Sequence, residues 1–121
     1  MIGYTTLGTN NLERAVAFYD QLFGGEGIKQ VRPNDRVCLF LQKGAPMFGI
    51  ATPYDGKPAT VGNGMMIGWQ VDSVDQVKSL YELAMSLGAS DEGGPGDRGN
   101  SFYGAYFRDL DGNKLVVYKL G

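Results

Sequence analysis

The feature that most constrains this chain is an internal repeat. An offset of 62 residues carries Tyr19 onto Tyr81, Asn10 onto Asp72, Leu12 onto Val74 and Tyr4 onto Met66. Two copies at such a spacing are not a solenoid. Each copy reads as a strand, a helix and three further strands. A sheet with one helix on one face cannot bury both faces alone, whereas two copies can by wrapping around shared space. The repeat therefore predicts an α+β fold in a single domain of 121 residues. Two βαβββ modules, approximately 1–60 and 61–121, would form a half-barrel sheet with a central cavity.

The first copy opens with a β-prone run, Ile2 to Gly8. Asn10 or Asn11 can cap a helix, and Glu13 stands three residues after Asn10 as in a capping box. Leu12, Ala15, Val16, Tyr19, Leu22 and Phe23 then follow helical spacing. Gly24-Gly25 stops the helix. Short strands follow near Ile28 to Val31, Arg36 to Gln42 and Met47 to Ala51, and Pro53 to Gly62 reads as an exposed connection. In the second copy Met65 to Val71 is a strand. Asp72 or Ser73 caps a helix, with Ser73-x-x-Gln76 as a capping box. Val74, Val77, Leu80, Tyr81, Ala84 and Leu87 form its stripe, and Gly88 ends it. A weak strand lies near Ala89 to Glu92, and Gly93 to Asn100 reads as a loop. Phe102 to Tyr118 is a hairpin, two aromatic and β-branched runs around Asp109-Leu110-Asp111-Gly112-Asn113.

Strand alternation assigns faces. If Tyr4 faces the cavity, so do Ile2, Thr6 and Gly8, while Thr5 and Leu7 face the helix. In the second copy Gly64, Met66, Gly68 and Gln70 face inward, and Met65, Ile67, Trp69 and Val71 face the helix. One of Tyr103 and Tyr106 faces the cavity, and the spacing does not choose between them.

Composition excludes several functions. There is no histidine, which removes the usual general base, the commonest metal ligand and any Ser-His or Cys-His pair. A net charge of −2 with no basic stripe argues against nucleic acid. No apolar run is long enough to span a bilayer, and MIGYTTLG lacks the pattern of a signal peptide, so a cytoplasmic protein is expected. The one cysteine, Cys38, cannot form an internal disulfide and reads as a buried, inert thiol. Two motif matches fail on context. Gly94-x-Gly96-x-x-Gly99 precedes a strand, not the helix a dinucleotide fingerprint needs. Asp109-x-Asp111-x-Asn113 resembles a calcium loop whose required glycine would fall on Lys114.

Three stretches carry a resemblance over essentially the whole chain: TTLGTNNLERAVAFYDQLFG, Gly94-Pro95-Gly96-Asp97-Arg98, and Tyr106-Phe107-Arg108-Asp109-Leu110-Asp111-Gly112-Asn113. The last resembles an F-x-D-P-D-G-N segment with Leu110 where proline is usual. Together they resemble the vicinal oxygen chelate superfamily, which includes glyoxalase I, extradiol dioxygenases and bleomycin resistance proteins, and most of all its small glyoxalase-like bacterial members. The resemblance implies a homodimer. Enzymes of that superfamily hold a divalent metal with His on the first strand, His on the fifth and Glu on the eighth, some adding a carboxylate on the fourth. The resemblance carries these positions onto Tyr4, Met66 and Val116, with the fourth-strand position near Phe48 or Ile50. None of these is a plausible ligand set for a hard or borderline cation.

The expectation is a metal-independent protein without cofactor that binds a small organic ligand, similar to the antibiotic-binding branch. Its ligand pocket would use Tyr4, Phe48, Met66, Gln70, Arg98 and Val116, with Arg98 as anchor for a carboxylate or phosphate. The first alternative is a metal-independent lyase- or isomerase-type enzyme in which Tyr4, Asp97 or Arg98 acts as acid, base or oxyanion partner. The second is a filled barrel with an interaction role.

Overall fold

Asn11, in extended backbone, accepts the amide of Arg14 at 3.1 Å through its side chain and starts the first helix, α1 (Leu12–Phe23). The expected capping box at Asn10 does not form, because both of its members are engaged elsewhere. Glu13 binds the guanidinium of Arg32 at 2.7 and 2.9 Å. The Asn10 side chain takes the amide of Ala59 at 2.6 Å and returns a bond to the Ala59 carbonyl at 3.2 Å. Gly24, at φ +78°, ends the helix; the computed structural model describes residues 1–24 and 27–121, so Gly25 lies outside the described residues.

Two compact units follow from the chain, Met1–Val61 and Gly62–Gly121. In the first, strands β1 (Tyr4–Gly8), β2 (Lys29–Asn34), β3 (Val37–Leu41) and β4 (Met47–Ala51) form one sheet in the order β1-β4-β3-β2. In the second, β5 (Ile67–Gln70), α2 (Val74–Ser86), β6 (Ser90–Asp97), β7 (Phe102–Arg108) and β8 (Lys114–Leu120) repeat the plan, with order β5-β8-β7-β6. First and last strands pair in parallel in each unit, and the others are antiparallel. This is the predicted α+β pair of βαβββ modules.

Each helix covers one sheet face. In the first unit Phe18, Tyr19 and Leu22 of α1 are at most 2% exposed, and Tyr19 and Phe23 pack on Phe48 at 4.8 and 5.4 Å between ring centres. Phe48 lies directly opposite Thr5 in the parallel register, so it belongs to the helix side. The pocket position expected at Phe48 is thus part of the core. The neighbouring Ile50, opposite Leu7, is core as well. Cys38 pairs with Ile50 on the same side and is fully buried, and burial pushes its thiol pKa up.

In the second unit Ser73 caps α2 and accepts the Gln76 amide at 3.1 Å, while Gln76 reaches back to the amide of Asp72 at 2.9 Å. Val77 and Ala84 of α2, with Ala105, Phe107, Leu115 and Val117 of the sheet, are at most 2% exposed and form this unit's core. Trp69 lies opposite Val117 on that side, half-buried. One expected loop is a strand: Gly93 to Asp97 belongs to β6 and pairs with β7 across two register shifts. Glycine-rich sequence hid it, because the shifts suit glycine and β6 carries few apolar residues.

The Asn10–Ala59 pair is the described side-chain clasp between the start of α1 and the connection after β4. Asn10→Ala is expected to cost about 1 kcal/mol, the net value of ordinary hydrogen bonds at an exposed site. Amide exchange at Ala59 should accelerate by about fivefold, the factor that energy corresponds to. Unchanged exchange there would mean that the pair does not hold the connection in place.

Candidate functional site

The β7–β8 hairpin positions the site, and its turn is held by one carboxylate. Asp109 is 6% exposed. Its Oδ1 accepts the amides of Asp111 and Asn113, each at 2.9 Å, and its Oδ2 accepts the Asn113 side-chain amide at 3.0 Å. Gly112 supplies φ +88°. The turn fixes a register in which Tyr106 faces Val116 and Gly104 faces Tyr118. Tyr106, not Tyr103, therefore shares the helix-free face with Val116; Tyr103 pairs with Lys119 on the other.

On that helix-free face the sheet is paved by glycine and covered by rings. Gly68 of β5 lies opposite Val116 of β8, and Gln70 lies opposite Tyr118. A Cβ at Gly104 would meet Phe102 Cε1 at 2.8 Å and Val116 Cγ2 at 3.3 Å; one at Gly68 would meet Tyr118 Cε1 at 3.2 Å. The two rings thus lie down over bare backbone, stacked on each other at 4.8 Å with planes 11° apart. Val116, 2% exposed, lies between the two glycines these rings cover.

Beside this floor stands Tyr106, with two cations at its ring. Arg98 Cζ is 5.2 Å and Lys114 Nζ 5.5 Å from the ring centre. Arg98 comes from the turn after β6, where Gly99, Asn100 and Ser101 all adopt positive φ and the Gly99 amide donates to Asp97 at 2.8 Å. Its Nη2 donates to the carbonyls of Gly94 and Gly104, which aims the guanidinium across the sheet and not at Asp97. At the far end Arg108 holds Glu92 at 2.8 Å, which keeps that carboxyl below its usual range.

The expected site residues fall in both units, Tyr4 and Phe48 in the first and the rest in the second. Gln70, Arg98 and Val116 are on or beside one face of the second unit. Met66 lies just before β5 and is 46% exposed. Tyr4 lies on the helix-free face of the first unit, opposite Met47, and is 60% exposed. Phe48 is in the core. Phe102, Tyr118, Gly104 and Lys114 escaped the sequence reading. The one signal was glycine alternating with aromatics in Phe102-Tyr103-Gly104-Ala105-Tyr106, a pattern in which rings cover in-strand glycines.

Among the described residues a hydrogen-bonded acid–base pair lies on the helix side of the second unit. Tyr81 donates to Asp91 Oδ1 at 2.8 Å, and the Gly93 amide donates to the same oxygen at 2.9 Å. The Gly93 amide, then Tyr81, holds the Asp91 carboxyl low, and Asp91 pushes the Tyr81 phenol up. Both shifts weaken the pair as acid and base, so it serves to tie α2 to β6.

Two four-stranded sheets of identical topology, each with one helix-covered and one helix-free face, define a paired βαβββ protein. The chain belongs to the Glyoxalase/Bleomycin resistance protein/Dioxygenase superfamily, whose sequence model matches residues 1–117. A solved glyoxalase/bleomycin resistance protein from Albidiferax ferrireducens T118 is 35% identical, with TM-score 0.89 over 100% of this chain and 99% of that one. A family enzyme from Burkholderia phytofirmans PsJN (18% identity, TM-score 0.81, 98% of each chain) shares the fold. So does a lactoylglutathione lyase from Agrobacterium tumefaciens (22% identity, TM-score 0.73, 98% of this chain and 92% of that one). No functionally curated protein is similar enough in sequence to match.

The metal of the superfamily's enzymes does not fit the donors at the corresponding positions. Tyr4 offers a phenol, Met66 a thioether and Val116 a buried alkyl group. Among the described residues no group of three His, Cys, Asp or Glu side chains converges to hold a metal.

Proposed function

We propose that this protein binds a small organic molecule on the helix-free face of its second unit, without a protein-held divalent metal, and acts as a homodimer in the bacterial cytoplasm. The observation that carries the reading is the surroundings of Val116. Where a metal ligand would stand there is a buried alkyl side chain between Gly68 and Gly104, the two glycines that the stacked Phe102 and Tyr118 rings cover. A mostly apolar floor with a few polar groups at its rim, here Gln70 and Arg98, suits orientation of an organic ligand. The dimer is supported by apolar side chains on helix-free faces, Tyr4 at 60% and Leu120 at 51% exposure, which a second copy can cover. No helix among the described residues is long and apolar enough to cross a membrane.

Thermal unfolding with a panel of small metabolites and antibiotics, each with EDTA or with Mn²⁺, Ni²⁺ or Zn²⁺, tests the reading. A ligand present at about 100 times its Kd stabilises the native state by about 2.7 kcal/mol. The expected result is a midpoint shift that EDTA leaves intact, in a species that sediments as a dimer. Shifts that require a divalent ion would overturn metal independence, and no shift with any compound would favour an interaction role.

A further inference from the structure

We infer that the ligand of this face is an organic anion, a carboxylate or phosphate attached to a flat unsaturated group, held by Arg98 and Lys114 on either flank of its approach to the Tyr106 ring. The inference rests on the binding reading above and adds the ligand's chemical class. Three observations carry it.

The first is unspent donor capacity. Arg98 uses Nη2 on the carbonyls of Gly94 and Gly104, and among the described residues its Nε and Nη1 meet no protein acceptor. The two carbonyl bonds fix the guanidinium in place, so a further hydrogen bond to a ligand costs little additional ordering. Lys114 likewise makes no ion pair among the described residues, and its ammonium rests against Tyr106.

The second is charge balance. Arg98 and Lys114 meet at Tyr106, Arg108 lies opposite Lys114 in the register, and the carboxylate Glu92 is engaged by Arg108 at 2.8 Å. Asp91 is committed to Tyr81 and the Gly93 amide on the helix side. Arg98 also acts on Asp91, and Lys114 on Glu92; the three cations still outnumber these two carboxylates, and the surplus of one positive charge favours an anion over a cation.

The third is the floor. Arg98 Nη2 reaches the carbonyl of Gly104, and the Phe102 ring lies over that same glycine. A molecule whose acidic group meets Arg98 therefore places its body beside a flat stacked pair of rings, where planar unsaturated groups pack best.

The experiment uses three probes of one shape: 1-naphthoate, neutral 1-naphthamide and cationic 1-naphthylmethylammonium, titrated by calorimetry at low and high salt. Naphthoate is expected to bind about tenfold more tightly than the amide at low salt, as a charge-assisted hydrogen bond implies, and the advantage should shrink at high salt. R98Q and K114Q should each weaken naphthoate about fivefold and leave the amide within about twofold, since they remove charge and not floor. K114Q removes an amine with no described hydrogen bond and so keeps the fold, which makes it the decisive variant if R98Q unfolds. Equal affinity for naphthoate and naphthamide, or preference for the ammonium, overturns the anion class while the binding reading stands. Failure of all three probes to bind, with the variants folded, overturns the binding reading and this inference with it.

Discussion

Asp109→Ala is expected to destabilise the protein by about 3 kcal/mol, read as a lower urea midpoint at unchanged slope. The carboxylate sits at 6% exposure and accepts two backbone amides and one side-chain amide. Alanine would leave the Asn113 amide and its side chain buried without this acceptor, and an unmet buried donor costs about 1–3 kcal/mol. Bonds to an ionised acceptor are roughly twice as strong as neutral ones. Asp109→Asn should cost about half as much, because a carboxamide oxygen replaces Oδ1 while its NH₂ confronts the Asn113 side chain. Asp55 provides the contrast. It forms the same kind of local bond, to the Lys57 amide at 2.9 Å, but in the exposed connection, so Asp55→Ala should cost only a few tenths of a kcal/mol. Equal costs at the two positions would show that Asp109 is only a turn former. A large cost at Asp109 alone ties the turn to the site, since the same hairpin sets Tyr106 opposite Val116.

That role marks the boundary of what the sequence discloses. Asp109-Leu110-Asp111-Gly112-Asn113 announced a turn, and the turn is there. Nothing in those five residues says that the first of them is buried and bonded to the last, because burial depends on the strands it joins. The repeat was legible for the same reason it folds. Tyr19 and Tyr81, each in an apolar helical stripe, come from a spacing that only a helix makes contiguous. Alternation gave the faces of β1 and β5 correctly: Leu7 is buried beside exposed Tyr4 and Thr6, and Ile67 and Trp69 are half-buried beside exposed Gly68 and Gln70.

Register is what moves Phe48 off the expected face. Phe48 was assigned to the pocket by its position on the fourth strand, but a one-residue step along a strand reverses the face. The partner that decides it, Thr5, is 43 positions away in the sequence. Arg98 was legible as a ligand anchor, but its support was not: the carbonyls of Gly94 and Gly104 approach it only because β6 continues through Gly93-Gly94-Pro95-Gly96 with two register shifts. Lys114 carries no functional signal in the sequence; its place against Tyr106 follows from the paired strands.

The strongest functional substitution is Val116→Glu, which puts a carboxylate where the superfamily's enzymes carry one. In this protein it is expected to destabilise by about 3 kcal/mol or more at pH 8, because the position is 2% exposed and flanked by glycines that offer no side-chain partner. The pH dependence separates the causes. A carboxyl buried among apolar groups has its folded pKa raised above its unfolded value of about 4.3. The penalty is then smallest below that value and grows by about 1.4 kcal/mol per pH unit until the folded pKa is passed. The variant should therefore approach the parent in stability at pH 5 and fall away from it by pH 8. A penalty independent of pH would mean that Lys114, two residues along the same face, pairs with the new carboxylate. Mn²⁺, Ni²⁺ or Zn²⁺ should not recover the loss, since the neighbouring side chains on β5 and β8 are Gln70, Lys114 and Tyr118 and no imidazole exists in the chain. Recovery of several degrees in Tm with one of these ions would show that a single carboxylate suffices to restore a metal site, and the metal-independent reading of this face would fall with it.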